Sequence, residues 1–60
     1  MRNIYQDVKY FEVSGHGHTI DFDLNSDGSF TIDIDSESRE IFTLKPDEFQ
    51  KFKKWIANLP

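Results

Sequence analysis

Residues 18–35 read His18-Thr19-Ile20-Asp21-Phe22-Asp23-Leu24-Asn25-Ser26-Asp27-Gly28-Ser29-Phe30-Thr31-Ile32-Asp33-Ile34-Asp35, two alternating runs around a turn signal. His18, Ile20, Phe22 and Leu24 share one parity, and Phe30, Ile32 and Ile34 share one in the second run. Successive side chains on a strand point to opposite faces, so a period of two marks strands buried on one side only. Asn25-Ser26-Asp27-Gly28 suits a type I turn closed by a glycine in the left-handed region, the three-residue hairpin with a G1 bulge. That turn pairs Asn25 with Ser29. It thereby sets Leu24 opposite Phe30, Phe22 opposite Ile32 and Ile20 opposite Ile34. Turn chemistry and apolar pattern give the same register independently.

Outward from this hairpin, Glu40 to Leu44 reads as a further short strand reached through Ser36 to Arg39. Pairing Ile34 with Phe42 and Ile32 with Leu44 would continue the apolar face, leaving Ile41 on the other. On the N-terminal side, Ile4 to Val13 reads as one strand that changes face. Ile4 and Val8 fall on one parity and Phe11 and Val13 on the other, so a β-bulge near Lys9 or Tyr10 is expected. Gly15 and Gly17 mark the loop into the central hairpin. Pro46 fits the first position of a helix, and Asp47 and Glu48 put negative charge at its positive end. Phe49, Phe52, Trp55, Ile56 and Leu59 then recur at three- and four-residue spacing, with Lys51, Lys53, Lys54 and Asn58 mostly off that stripe. The expected architecture is α+β: a single domain over residues 1–60, a four-stranded antiparallel β-meander packed on one face by a single C-terminal α-helix.

A chain of 60 residues buries only about 60% of the surface its unfolded form exposes. Its single core is therefore marginal, and homodimerisation is an expectation of this sequence. Nine aromatic residues offer the most area per side chain and are expected to form most of that core. The chain has no cysteine, which removes disulfides and thiolate zinc sites. Residues 1–9 do not show the basic-then-apolar layout of a secretion signal, and no apolar run approaches membrane-spanning length. A soluble, cytoplasmic protein with no membrane association is expected. The net charge of −4 is uneven: residues 1–44 carry three basic and nine acidic side chains, and residues 45–60 carry four lysines against Asp47 and Glu48. The field of the sheet half repels nucleic acid and attracts basic partners.

Candidate chemistry is sparse. Asp23-Leu24-Asn25-Ser26-Asp27-Gly28-Ser29 matches the first seven positions of a calcium loop. Ile34 stands where the twelfth position needs a bidentate glutamate, and strands flank the motif where helices should, so the hairpin turn is the preferred reading. His16 and His18 could offer two imidazoles to a metal if Glu12 or Asp35 joined them. Two ligands are not a site, and a loop histidine beside a half-buried strand-end histidine accounts for both. No Ser/His/Asp set, Cys/His set or phosphate-cradling glycine loop is present, so neither a catalytic residue, a metal ligand nor a cofactor is assigned, and enzymatic activity is not expected.

The polar parity of the central hairpin is more distinctive. In the register above Asp21 lies opposite Asp33, Asp23 faces Thr31 and Thr19 faces Asp35. Like charges directly opposite one another destabilise a sheet. A solvated face that resists edge aggregation accounts for such a pattern. It also forms a regular row of acids flanked by Tyr5, Tyr10 and Ile41, suited to docking a basic partner.

Phe42-Thr43-Leu44-Lys45-Pro46-Asp47-Glu48-Phe49, a strand running into a helix, resembles the end of the PC4-like single-stranded-DNA-binding coactivators. The resemblance covers about the last twenty residues and implies a sheet, a closing helix and a dimer. Where that family carries basic and aromatic residues on its binding face, this chain carries Asp21, Asp23, Asp33 and Asp35, so nucleic acid is not the expected ligand of that face. In size and acidity the chain also resembles the small inhibitors that phages encode against host or defence proteins, some of which are DNA mimics. The expectation is a small acidic non-enzymatic binding protein, a regulator or inhibitor. It would engage a basic surface of a partner protein, one that holds nucleic acid being among the options, through Asp21, Asp23, Asp33, Asp35, Tyr5, Tyr10 and Ile41. The alternatives are a single-stranded nucleic-acid binder using Tyr5, Tyr10, Lys51, Lys53 and Lys54, or a structural homodimerising module.

Overall fold

A computed structural model describes residues 2–60. Five strands in sequence order form one antiparallel sheet: β1 (Asn3–Gln6), β2 (Tyr10–Gly15), β3 (His18–Leu24), β4 (Phe30–Asp35) and β5 (Arg39–Leu44). A single helix, α1 (Pro46–Ala57), follows. The central hairpin carries the expected register, with Leu24 opposite Phe30, Phe22 opposite Ile32 and Ile20 opposite Ile34. Its turn is closed by Asn25 N–H donating to the Ser29 carbonyl at 2.8 Å and Gly28 N–H donating to the Asn25 carbonyl at 3.0 Å. Gly28 has φ +92°, the left-handed value that the bulge requires.

Three expectations need correction. The sheet has five strands where four were expected, because Ile4 to Val13 is a hairpin and not one bulged strand. The chain reverses at Asp7, whose N–H donates to the Tyr10 carbonyl at 2.8 Å and whose carboxylate accepts from Val8 N–H at 2.7 Å. Ile4 then lies opposite Val13 and Gln6 opposite Phe11. Four residues, Asp7 to Tyr10, separate the paired Gln6 and Phe11, and an even number of intervening residues pairs even positions with odd ones, so the reversal changes parity as a bulge would while adding a strand.

The β4–β5 register is displaced by two residues. Ile32 pairs with Phe42, Phe30 with Leu44 and Ile34 with Glu40. The connection tightens to Ser36-Glu37-Ser38, with Ser36 N–H donating to the Ser38 carbonyl at 3.2 Å. A shift of two keeps every side chain on its expected face, so parity could not distinguish the two registers.

The helix covers one end of the apolar face only. Phe49 stacks on Phe30 with ring centroids 4.3 Å apart and planes 10° apart, and it is the one buried apolar side chain among the described residues, at 8% exposure. From there an aromatic chain runs back through Phe22 to Phe11 and out along the helix through Phe52 to Trp55. The other aromatics expected in the core are half-buried or exposed: Phe42 is 65% exposed and Trp55 61%. Geometry explains this. A 12-residue helix has a footprint of about 18 by 10 Å. Five strands of four to seven residues present a face of about 20 by 20 Å, so roughly half stays bare.

Candidate binding face

The polar surface lies on the side of the sheet away from the helix. Strand pairing lines up Tyr5, Glu12, Asp21, Asp33 and Ile41 in one row across all five strands. The next row holds Tyr10, Asp23, Thr31 and Thr43, and the row on the other side holds Ser14, Thr19, Asp35 and Arg39. Neighbouring strands lie about 4.8 Å apart and alternate residues about 6.7 Å apart, which sets the spacing of the charges. All seven residues named from the sequence for this face, Asp21, Asp23, Asp33, Asp35, Tyr5, Tyr10 and Ile41, are on it.

Two of its charged residues were not anticipated. Glu12 sits in the centre of the acidic row, between Tyr5 and Asp21. Its place between Phe11 and Val13 marked it as polar-facing, but a bulge at Tyr10 would have disguised which surface it joined. Arg39 reaches diagonally from β5 to Asp33. Its Nε donates to Asp33 Oδ1 at 3.2 Å and its Nη2 to Oδ2 at 2.6 Å, a two-pronged contact. Five carboxylates (Glu12, Asp21, Asp23, Asp33 and Asp35) thus face one guanidinium on this surface.

The like charges are managed locally. The Tyr10 hydroxyl donates to Glu12 Oε1 at 2.6 Å and to Asp21 Oδ1 at 3.0 Å, one proton shared between two acceptors. Ionising the phenol would add a third negative charge and lose both bonds. The Glu12 bond first, then burial and the Asp21 contact, therefore hold its pKa far above the ordinary tyrosine value. Asp21 is pushed up mainly by burial, with the Glu12 and Asp33 charges adding and the Tyr10 bond opposing. Asp33 moves the other way, held below the usual carboxylate range by the Arg39 hydrogen bonds and charge. Tyr5 and Tyr10 meet at 5.9 Å with tilted rings, an aromatic border beside Glu12.

The remaining candidates are placed apart from this face or tied into the turn. Asp27 accepts from Ser29 N–H at 2.9 Å and from Ser29 Oγ at 2.6 Å, which lowers its pKa. The Asn25 amide donates to Ser29 Oγ and Thr31 Oγ1, both at 2.9 Å. Asp27, Ser29 and the Asn25 amide of the calcium-like stretch thus bond within the hairpin. His16 and Gly17, with φ +54° and +78°, form the two-residue β2–β3 turn. His18 is exposed, correcting its expected half-burial, and lies on the apolar side opposite Gly15. Glu12 and Asp35 lie on the polar side, so the sheet separates them from His18. It also separates Tyr5 and Tyr10 from the helix that carries Lys51, Lys53 and Lys54.

No protein-family model, curated protein or solved structure matches the chain.

Proposed function

We propose that this chain is a small non-enzymatic binding protein, a regulator or inhibitor, whose acidic sheet face engages a basic surface of a partner protein. The observation that carries this reading is the continuous row Tyr5–Glu12–Asp21–Asp33–Ile41, reinforced by Asp23 and Asp35 on either side. Carboxylates repeated at strand spacing, bordered by tyrosine rings and an isoleucine that is 59% exposed, complement a lysine- and arginine-rich surface. A protein surface that ordinarily holds phosphates has that chemistry, which makes imitation of DNA the natural mode of inhibition. The face is strand-built and holds its charges in fixed register, so binding requires little ordering of the chain.

Affinity capture from the native cells, comparing wild type with charge-reversed chains, tests this reading. Asp23→Lys with Asp35→Lys is the cleanest variant, since these two stand outside the Tyr10 and Arg39 hydrogen bonds. A basic protein retained by wild type and released by the variant is the expected outcome. Equal retention by both chains rejects the acidic face as the contact. Titration with single-stranded DNA separates the nucleic-acid alternative: binding that weakens steeply with salt and survives reversal of Asp23 and Asp35 would replace the present reading.

A further inference from the structure

The folded chain is too open for its mass. A compact 7.1 kDa monomer exposes about 4,100 Å², whereas this one exposes 5074 Å². The radius of gyration is 12.5 Å, against about 10.4 Å for a compact domain of 60 residues. The excess area, about 1,000 Å², matches the roughly 800 Å² that each partner contributes to a stable protein interface.

Two apolar regions contribute to the excess. They are the half of the sheet that the helix leaves bare, where Ile4 is 65% and Ile34 43% exposed, and the outer end of the helix stripe at Trp55, Ile56 and Leu59. An open hollow of ≈ 390 Å³ lies on the bare half, with Val13, Ile20 and Phe22 among its lining residues. Both regions are apolar, both belong to the same chain, and neither is covered within it. In a two-fold contact residue i of one copy meets residue j of the other, and j meets i. Two separate uncovered apolar regions are what such a contact joins. The border of the bare half carries both signs, Arg2 at the hollow and Glu40 opposite Ile34, so the match of the two regions rests on their apolar area.

We infer that the apolar face is a homodimer interface in which the C-terminal end of each helix, led by Trp55, covers the bare Val13–Ile20–Ile34 half of the other copy's sheet. The two acidic faces then point outward on opposite sides of the dimer, and the inference stands whether or not those faces bind a basic partner.

Light scattering on the 60-residue chain is the first measurement. The expected mass is twice 7.1 kDa, and a melting temperature that rises across about a hundredfold increase in concentration should accompany it. Trp55 is the only tryptophan, so its fluorescence should move to shorter wavelength as concentration rises. Trp55→Glu, at a position exposed within one copy, should give a folded chain of single mass with strand-type circular dichroism. Should that variant unfold instead, the wild-type concentration series still decides. A wild-type chain of single mass, with concentration-independent melting and emission, overturns the inference. So does a dimer that Trp55→Glu leaves unchanged in mass and affinity.

Discussion

Asp21 faces Asp33 across the β3–β4 pair and Glu12 across the β2–β3 pair, so its ionised carboxylate is opposed from both sides. A folded-state pKa raised by burial and by these neighbours means that protonation favours the native state. Stability from this residue is full below the ordinary aspartate pKa and is lost as pH rises through the elevated one. Asp21→Asn, which keeps an acceptor for Tyr10, should therefore stabilise the protein by about 0.5 kcal/mol at pH 7, the scale of one cross-strand charge pair. The gain should vanish below the ordinary aspartate pKa, as thermal melts at the two pH values would show. Asp33 has the opposite sign. Its depressed pKa gives stability above the ordinary aspartate value, lost as pH falls through the depressed one. Arg39→Ala should lower the melting temperature at pH 7, and added salt should shrink the difference, because the guanidinium is largely solvent-facing. A loss that persists at high salt would assign Arg39 a packing role instead of an electrostatic one.

Among the elements, the β3–β4 hairpin is the most completely determined. Its turn combines two backbone bonds, the Asn25 amide bridge and the Asp27 bonds to Ser29. Gly28 holds the left-handed position at φ +92°, and a Cβ there would lie 3.5 Å from the Pro46 ring, an ordinary contact. The backbone conformation alone penalises any other residue, so Gly28→Ala should cost about 1–2 kcal/mol in urea denaturation. An unchanged midpoint would mean that the turn does not hold the register. The helix start is secured differently: Glu48 Oε1 accepts from Lys45 N–H at 2.8 Å, and Pro46 and Asp47 occupy its first turn. The sequence signals for this start were Pro46 and the two acids that follow it.

In the whole molecule, sheet and helix are joined chiefly at Phe30 and Phe49. A 12-residue helix is marginal on its own in water. Phe49→Ala should thus release it, at a cost of about 3 kcal/mol. Far-ultraviolet circular dichroism should lose its helical component while the tilted tyrosine pair at Tyr5 and Tyr10, on the opposite surface, is retained. Retention of the helical signal would show that Phe52 and Trp55 hold the helix without Phe49. The same architecture separates two surfaces by a single sheet. The row of Glu12, Asp21 and Asp33 lies on one side and the bare Val13–Ile20–Ile34 row on the other, so substitutions for charge and substitutions for assembly can be made independently.

What the residues specified without help was local or periodic: the strand parity of residues 18–35, the G1-bulge turn, the helix from Pro46, and the gathering of Asp21, Asp23, Asp33, Asp35, Tyr5, Tyr10 and Ile41 on one surface. These follow from steric rules that act between near neighbours. Parity was silent on three matters. It cannot tell a bulge from a reversal at Asp7, since both exchange odd for even. It cannot tell the Ile34–Phe42 register from the Ile32–Phe42 one, since both preserve face. It also cannot say how much of an apolar face one helix covers, because that depends on the size of the assembled sheet relative to the helix lying on it. The Arg39–Asp33 contact and the Tyr10 bridge between Glu12 and Asp21 belong to the same class: each joins residues on different strands, and their meeting awaited the alignment of those strands.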